Sequence, residues 1–209
     1  MRAFWVLLGC FGLVSLAFAA PQPIWDGKTL AGWEGETEKT WRIEDGAIVG
    51  GSLDVSVPRN EFLCTTKTYG DFELTLKFKL LGDPKQVNAG VQFRTKRIPK
   101  HHEVSGYQAD IGQHYWGALY DESRRNKILA QPPRELLDKI VKPGEWNDYK
   151  IRCEGPRIQL WLNGAQTVDY TEKDDKIERT GIIGLQVHGG AKAKVYYKDI
   201  AIEELPAGK

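Results

Sequence analysis

Long apolar runs are scarce in this chain. After residue 20 no stretch stays apolar for the eighteen or more residues that a bilayer span needs, which excludes a membrane-spanning helix in that part. An excess of one charge is missing too: 29 Lys and Arg stand against 28 Asp and Glu. Loss of Arg2 with the leader described below makes the count even. Nucleic-acid surfaces need a basic stripe that releases counterions, so this balance argues against a nucleic-acid partner and against an electrostatic membrane patch. Cysteine is rare, with three in all. Cys10 falls in the leader, leaving Cys64 and Cys153 in apolar, strand-like runs. An oxidising compartment would allow a bridge between them, and two buried free thiols fit equally well, because sequence does not supply the Cα separation a disulfide requires. Helical periodicity is nearly absent, and only residues 134–140 could form a short helix. There is no linker, low-complexity tract or repeat.

What is present begins with a leader. Met1 and Arg2 give a short positive start, residues 4–16 are almost unbroken apolar, and Ala17-Phe18-Ala19 is a small-residue cleavage signature. Cleavage is expected after Ala19 or Ala20, making residues 1–20 a signal peptide and the protein exported, to the periplasm or the medium of a bacterium. Leu7 to Cys10 loosely resembles a lipoprotein box but lies too near the start to leave a full apolar region before it. Residues 21–209 are expected to form one domain.

The remainder alternates and turns. Residues 41–44 and 47–49 flank an Asp45-Gly46 turn, a hairpin signal. Residues 72–80 alternate apolar and polar without a break, as a half-buried strand does. Further strands are expected at 89–95, 107–111, 117–120, 146–153, 158–162, 167–170, 181–188 and 195–205, with Asn163-Gly164 as a second tight turn. Many short strands with turn signals between them predict an all-β sandwich or jelly roll of two antiparallel sheets. Trp41 and Trp146 are expected in its core.

Three strands carry unusual polar faces. Gln92 and Arg94 share a side of their strand, Gln108 and Asp110 of theirs, and Gln186 and His188 of theirs. The wet side of 72–80 is filled instead by Lys, Thr and Glu. Gln, Asp, Arg and His make directed hydrogen bonds to polar ligands, so three neighbouring strands of this kind would build a polar patch. A solvated sheet face is the plainer explanation of any one pair. The segment 115–125 adds Trp116 and Tyr120, flat faces for sugar rings, and then Asp121, Glu122, Arg124 and Arg125, which would pair among themselves in a loop or line a rim. Trp161 is a further stacking candidate. His101, His102 and Glu103 look like a metal cluster but lack ligand spacing, which favours a solvated loop. His114 lies between strands and could reach the rim.

The ordered set IWDGKTLAGW (24–33), NAGVQFR (88–94), GYQAD (106–110), EWN (145–147), LNG (162–164) and GLQVHG (184–189) resembles the 3-keto-disaccharide hydrolase domain family over nearly the whole mature chain. The resemblance implies a concanavalin A-like jelly roll and exported bacterial proteins that cleave glycosides oxidised at C3 of the sugar. The chain departs from the family pattern at one place. Where the family carries Glu and then Gln, it has Gln108 and Asp110, so the carboxylate is moved two residues along the same face.

A retaining glucanase of this fold would need a second carboxylate about 5–5.5 Å from Asp110. Asp121 or Glu122 would supply it only if their loop folded back. A 3-keto sugar asks for less: a base for the acidic C2 proton, an electrophile at the ketone oxygen, and an acid for the leaving group. His188 is the expected base, since imidazole titrates near neutral pH. Arg94 or a bound divalent cation would hold the enolate, and Asp110 would orient the base, bind the metal or act as acid. Gln92, Gln108, Gln186, Trp116, Tyr120, Glu122 and Arg124 are the expected substrate contacts. Two rival classes remain: a non-catalytic carbohydrate-binding module on the same face, and a structural protein of the envelope.

Overall fold

The computed structural model describes residues 20–206. The expected leader, with its cleavage signature and Cys10, lies almost wholly outside the described residues. Fifteen strands and one helix follow in chain order. They are β1 (Gln22–Pro23), β2 (Trp33–Glu34), β3 (Trp41–Glu44), β4 (Ala47–Gly51), β5 (Glu61–Tyr69), β6 (Phe72–Leu81), β7 (Asn88–Arg97) and β8 (Val104–Gly112). After these come β9 (Leu119–Glu122), β10 (Lys127–Ala130), α1 (Arg134–Ile140), β11 (Asn147–Glu154), β12 (Arg157–Leu162), β13 (Ala165–Thr171), β14 (Gly181–Val187) and β15 (Lys194–Glu204).

Two antiparallel sheets form a sandwich. The first runs β13-β12-β11-β6-β15-β4-β3 with β1 added on β15, and the second runs β10-β9-β8-β7-β14-β5-β2. β6 shows why the sheets pack. Its residues alternate buried and half-buried along the whole strand, so Phe72, Leu74, Leu76, Phe78 and Leu80 all point at the second sheet. Val91, Phe93, Tyr107, Ala109, Ile111 and Leu185 answer from the other side in one continuous cluster. Truncating one of the buried phenylalanines would cost about 3–5 kcal/mol, the usual range for an aromatic cavity.

Local chemistry sets the tight turns. Asp45 and Gly46 have φ of 51° and 69°, and Asn163 and Gly164 have φ of 49° and 83°. Two consecutive left-handed residues make a type I′ turn, whose twist matches that of the strands it joins. The helix falls at 134–140 as its pattern predicts. β5 is one of the longer strands, yet only the neighbourhood of Cys64 marks it in the sequence.

The two cysteines are free and buried. Cys64 lies on the second sheet and Cys153 on the first, and burial pushes each thiol up to about 12. Trp41 is core, at 1% exposure. Trp146 is not: it sits half-buried on the outer face of the first sheet, edge-on to Tyr196 at 6.2 Å and under the Lys198 ammonium at 4.2 Å. The strand there begins one residue later, at Asn147, and Trp146 turns outward beside the strand end.

Candidate active site

The three polar strands are neighbours, in the order β8-β7-β14. Register puts their polar groups in two adjoining rows. Asp110, Gly90 and Gln186 form one row, and Gln108, Gln92 and Gly184 the next. All these side chains leave the sheet on the side away from the sandwich core, as period-2 alternation requires. β9 extends the same face, with Tyr120 opposite Gln108 and Glu122 opposite Gly106.

Glycine shapes the floor. A Cβ on Gly90 would sit 2.6 Å from Cδ of Gln108, so the Gln108 amide lies across Gly90 because nothing stands there. Gln92 Nε2 donates to Gln108 Oε1. From inside the sandwich, Tyr149 Oη donates to the Asp110 carbonyl at 3.1 Å and Tyr197 Oη to the Gln186 carbonyl at 2.7 Å, with Gly90 O also 3.1 Å away. Two buried hydroxyls of the first sheet thus hold the backbone of the Asp110 row.

The hairpin end beyond residue 95 folds over this face. Register slips between Phe93 and Lys96, with Arg94 at φ 45°. Backbone crowds the bend: a Cβ on Gly106 or Gly181 would come within 2.5 Å of Thr95 atoms. Past it, Arg97 Nη2 donates to the carbonyls of Glu34 at 2.9 Å and Phe62 at 3.1 Å. Asn60 Nδ2 donates to Glu103 Oε1 at 3.1 Å, and Val104 packs with Phe62, Cys64 and Ile182. Gln92, Gln108, Asp110 and Gln186 are consequently no more than 3% exposed.

Buried polar groups normally find partners, and here several do not. Neither Nε2 nor Oε1 of Gln186 has one, nor does Oε1 of Gln92. Asp110 is better served, its Oδ1 accepting from Asn88 Nδ2 at 2.8 Å and from the Ile111 backbone N–H at 3.0 Å. Burial nevertheless dominates and pushes the Asp110 carboxyl up to about 8. The bonds from Asn88 and Gln108 oppose that shift, while the Glu122 charge adds to it. Glu122 is itself pushed up to about 7, first by burial and then by Glu103. Burial also raises the Tyr120 hydroxyl, with Glu122 the next cause. Tyr115 stands edge-on to Tyr120 at 6.2 Å. His188 follows β14 at the exposed end of the face. Its backbone N–H donates to Asn88 O at 3.1 Å, so Asn88 links His188 to Asp110.

The expected residues separate into two groups. Gln92, Gln108, Asp110, Gln186, His188, Tyr120 and Glu122 share the face. Arg94 does not, because the bulge reverses its side. Its guanidinium donates to Gly70 O at 3.0 Å, Gly155 O at 2.8 Å and Asp71 Oδ1 at 2.6 Å. Arg124 also leaves, bonding Asp121 at 2.8 Å and covering the Tyr107 ring at 4.4 Å. With Arg125, Tyr107 and Glu172 it forms a network at the side of the sandwich. Trp116 packs on Phe78 at 6.0 Å, and Trp161 lies under Lys150 at 4.1 Å on the outer face of the first sheet. Glu122 reaches the face without any loop folding back, because β9 pairs directly with β8. Sequence reasoning missed Asn88, which opens the NAGVQFR run in phase with Gln92, and left Glu103 in a solvated loop, whereas it lies close enough to Glu122 to raise that carboxyl. His114 is exposed beside Tyr115, and His101 and His102 stack at 4.3 Å. Among the described residues no three His, Cys, Asp or Glu side chains come together to hold a metal ion.

Solved structures share the architecture. A presumed glycosyl hydrolase from Parabacteroides distasonis matches with a TM-score of 0.63 at 22% identity, covering 86% of this chain and 91% of that one. Carbohydrate-binding module CBM66 from Bacillus subtilis matches at 0.64 and 16% identity, over 83% and 96%. The carbohydrate recognition domain of Emp47p matches at 0.56 and 12% identity, over 85% and 90%. These likenesses establish the galectin- and concanavalin-like sandwich. No curated protein matches the chain. A family model matches residues 20–203, nearly the whole described chain, and the protein therefore belongs to the 3-keto-alpha-glucoside-1,2-lyase-like domain family.

Proposed function

We propose that the protein is an exported enzyme that cleaves 3-keto-glycosides by elimination on the polar face of the second sheet. The observation that carries this reading is the pairing of a buried, neutral-range carboxyl, Asp110, with amide groups left without partners on the same face. Membership of a 3-keto-alpha-glucoside-1,2-lyase-like family supports the choice of substrate class. Export rests on the leader read in residues 1–20.

The ketone at C3 makes the C2 proton acidic. His188, at the open end, takes that proton, and the electrons move onto the C3 oxygen. Arg94 is committed elsewhere, so the electrophile is the Asp110 carboxylic acid, which below about pH 8 is neutral and donates a hydrogen bond. The C1–O bond then breaks, and Glu122, protonated up to about pH 7, gives its proton to the departing oxygen. The products are an unsaturated 3-keto sugar and a free alcohol. Addition of water across the new double bond gives net hydrolysis.

The test is turnover of a 3-keto-glucoside followed by NMR. His188→Ala and Asp110→Asn should each lose about a hundredfold or more in kcat, the usual worth of a positioned acid or base, while still binding substrate. Turnover by both variants at the wild-type rate would refute the assignment. The likeness to CBM66 supports a second reading, a non-catalytic carbohydrate-binding face. It requires that the wild type turn over no 3-keto-glycoside and that binding fall when Tyr115 and Tyr120 are replaced by Ala.

A further inference from the structure

The outer face of the first sheet takes no part in the site above, yet it is more than a solvated surface. Trp146, Tyr196, Ala47, Val49 and Leu81 make a small apolar cluster on it. Asn147 Nδ2 donates to the carbonyls of Lys142 at 2.8 Å and Glu145 at 2.9 Å, which fixes the turn carrying Trp146. Lysines crowd the two rings. The Lys79 ammonium lies 5.2 Å from the Trp146 ring centre and 4.3 Å from that of Tyr196. Lys198 lies 4.2 Å from Trp146, and Lys194 5.0 Å from Tyr196. Glu44 answers Lys194. Lys79 and Lys198 pair with no carboxylate among the described residues, so two uncompensated ammonium groups meet at one indole. The rings hold both side chains by cation–π contact and by packing of their stems. An anion would find the two charges already in place.

Register leads from this patch to a second aromatic. Lys198 faces Lys77 across the ladder, and Thr75 faces Lys150, which faces Trp161. A groove of about 470 Å³ lies there, lined by Thr75, Lys77, Asp148, Lys150, Trp161 and Asp199. Its charges balance: Lys77 stands 3.9 Å from Asp148 and 3.8 Å from Asp199, and Lys150 stands 3.7 Å from Glu73. The groove thus offers an indole and groups that bond hydroxyls, without net charge. Trp146 and Trp161 are four residues along and one strand across, so their backbones lie about 14 Å apart, room for a short run of sugar rings. Nucleic acid carries a charge on every unit and would meet Glu73, Asp148 and Asp199 on the way. A lipid headgroup would leave the groove empty. A glycan in which acidic and neutral rings alternate satisfies both ends.

We propose that the outer face of the first sheet is a second, non-catalytic glycan site. It takes a chain with alternating carboxylates, with a carboxylate held by Lys79 and Lys198 beside Trp146 and a neutral ring laid against Trp161. The site lies on the sheet opposite the polar face and stands or falls independently of the lyase reading.

Isothermal titration of the full protein tests it. The probes are a hyaluronan hexasaccharide, whose glucuronate rings alternate with neutral ones, and its methyl ester, which has the same rings without the charge. The acid should bind about tenfold more tightly than the ester at low salt. Salt at about 1 M, where the screening length falls to about 3 Å, should erase that difference. Lys79→Gln with Lys198→Gln should weaken the acid about tenfold, the worth of two surface ion pairs, and leave the ester within about twofold. Lys198→Gln alone gives a smaller loss in the same direction should the double variant not fold. Trp161→Ala should weaken acid and ester alike. Equal binding of acid and ester, binding of neither, or a double variant that binds like the wild type overturns the proposal. Tighter binding of phosphatidylglycerol vesicles or of a short single-stranded DNA than of the glycan would assign the face to another partner and overturn it equally.

Discussion

Asp110 should leave a mark on stability as well as on activity. Its carboxyl moves from 3.8, the value of a free aspartate side chain, to about 8 in the fold, with burial as the leading cause. A raised folded value means that the native state holds a proton the unfolded chain has released. The contribution is fully present below about pH 4 and is lost as pH rises through about 8. Four units at 1.36 kcal/mol each set a ceiling of about 5 kcal/mol, and relaxation of a buried site would bring the observed effect to about half of that. Asn at this position keeps an oxygen to accept from Asn88 Nδ2 and the Ile111 N–H, and carries no charge. Urea denaturation of wild type and Asp110→Asn at pH 5 and pH 9 tests the point. The wild type should lose about 2–4 kcal/mol more than the variant between the two pH values, and the variant should be the more stable at pH 9. Parallel losses would show that Asp110 is hydrated and ionised in the fold, and its role as a neutral donor would fall with it.

Other expectations follow from the same geometry. Arg94→Ala strips Asp71 of a partner within a guanidinium site 2% exposed, so it should cost about 3–5 kcal/mol in denaturant while leaving kcat per folded molecule near wild type. Gly90→Ala drives Gln108 off the floor, so sugar binding should weaken, by isothermal titration, far more than stability falls. Cys64 and Cys153, buried on separate sheets with thiols pushed up to about 12, should ignore a thiol reagent at pH 8 until denaturant is added. Intact mass should show both reduced.

Much of the fold is written locally. Alternation in residues 72–80 fixes which side chains of β6 face the core, because a strand's period is two regardless of its neighbours. Asp45-Gly46 and Asn163-Gly164 fix two turns, because few residues accept the left-handed backbone they require. The same alternation identifies Gln92, Gln108, Asp110, Gln186 and His188 as partners on one face, provided their strands adjoin. That condition belongs to the sheet order and appears in no single strand.

Arg94 marks where local pattern stops being enough. It is in phase with Gln92 by count, yet one slipped residue turns it to the opposite side, and a bulge is set by the pairing strand as much as by its own sequence. Glu122 fails in the other direction, looking like loop charge until β9 pairs with β8 and puts it on the polar face. Trp146 and Trp161 are aromatic in either setting, and only the packing of the first sheet leaves them outside. The sequence by itself determined the alternating strands such as β6, the two tight turns at Asp45-Gly46 and Asn163-Gly164, and the chemical character of the faces those strands carry. Tertiary structure alone decided which faces meet, which charges are buried and which amides lack partners, since those depend on contacts between residues far apart in the chain.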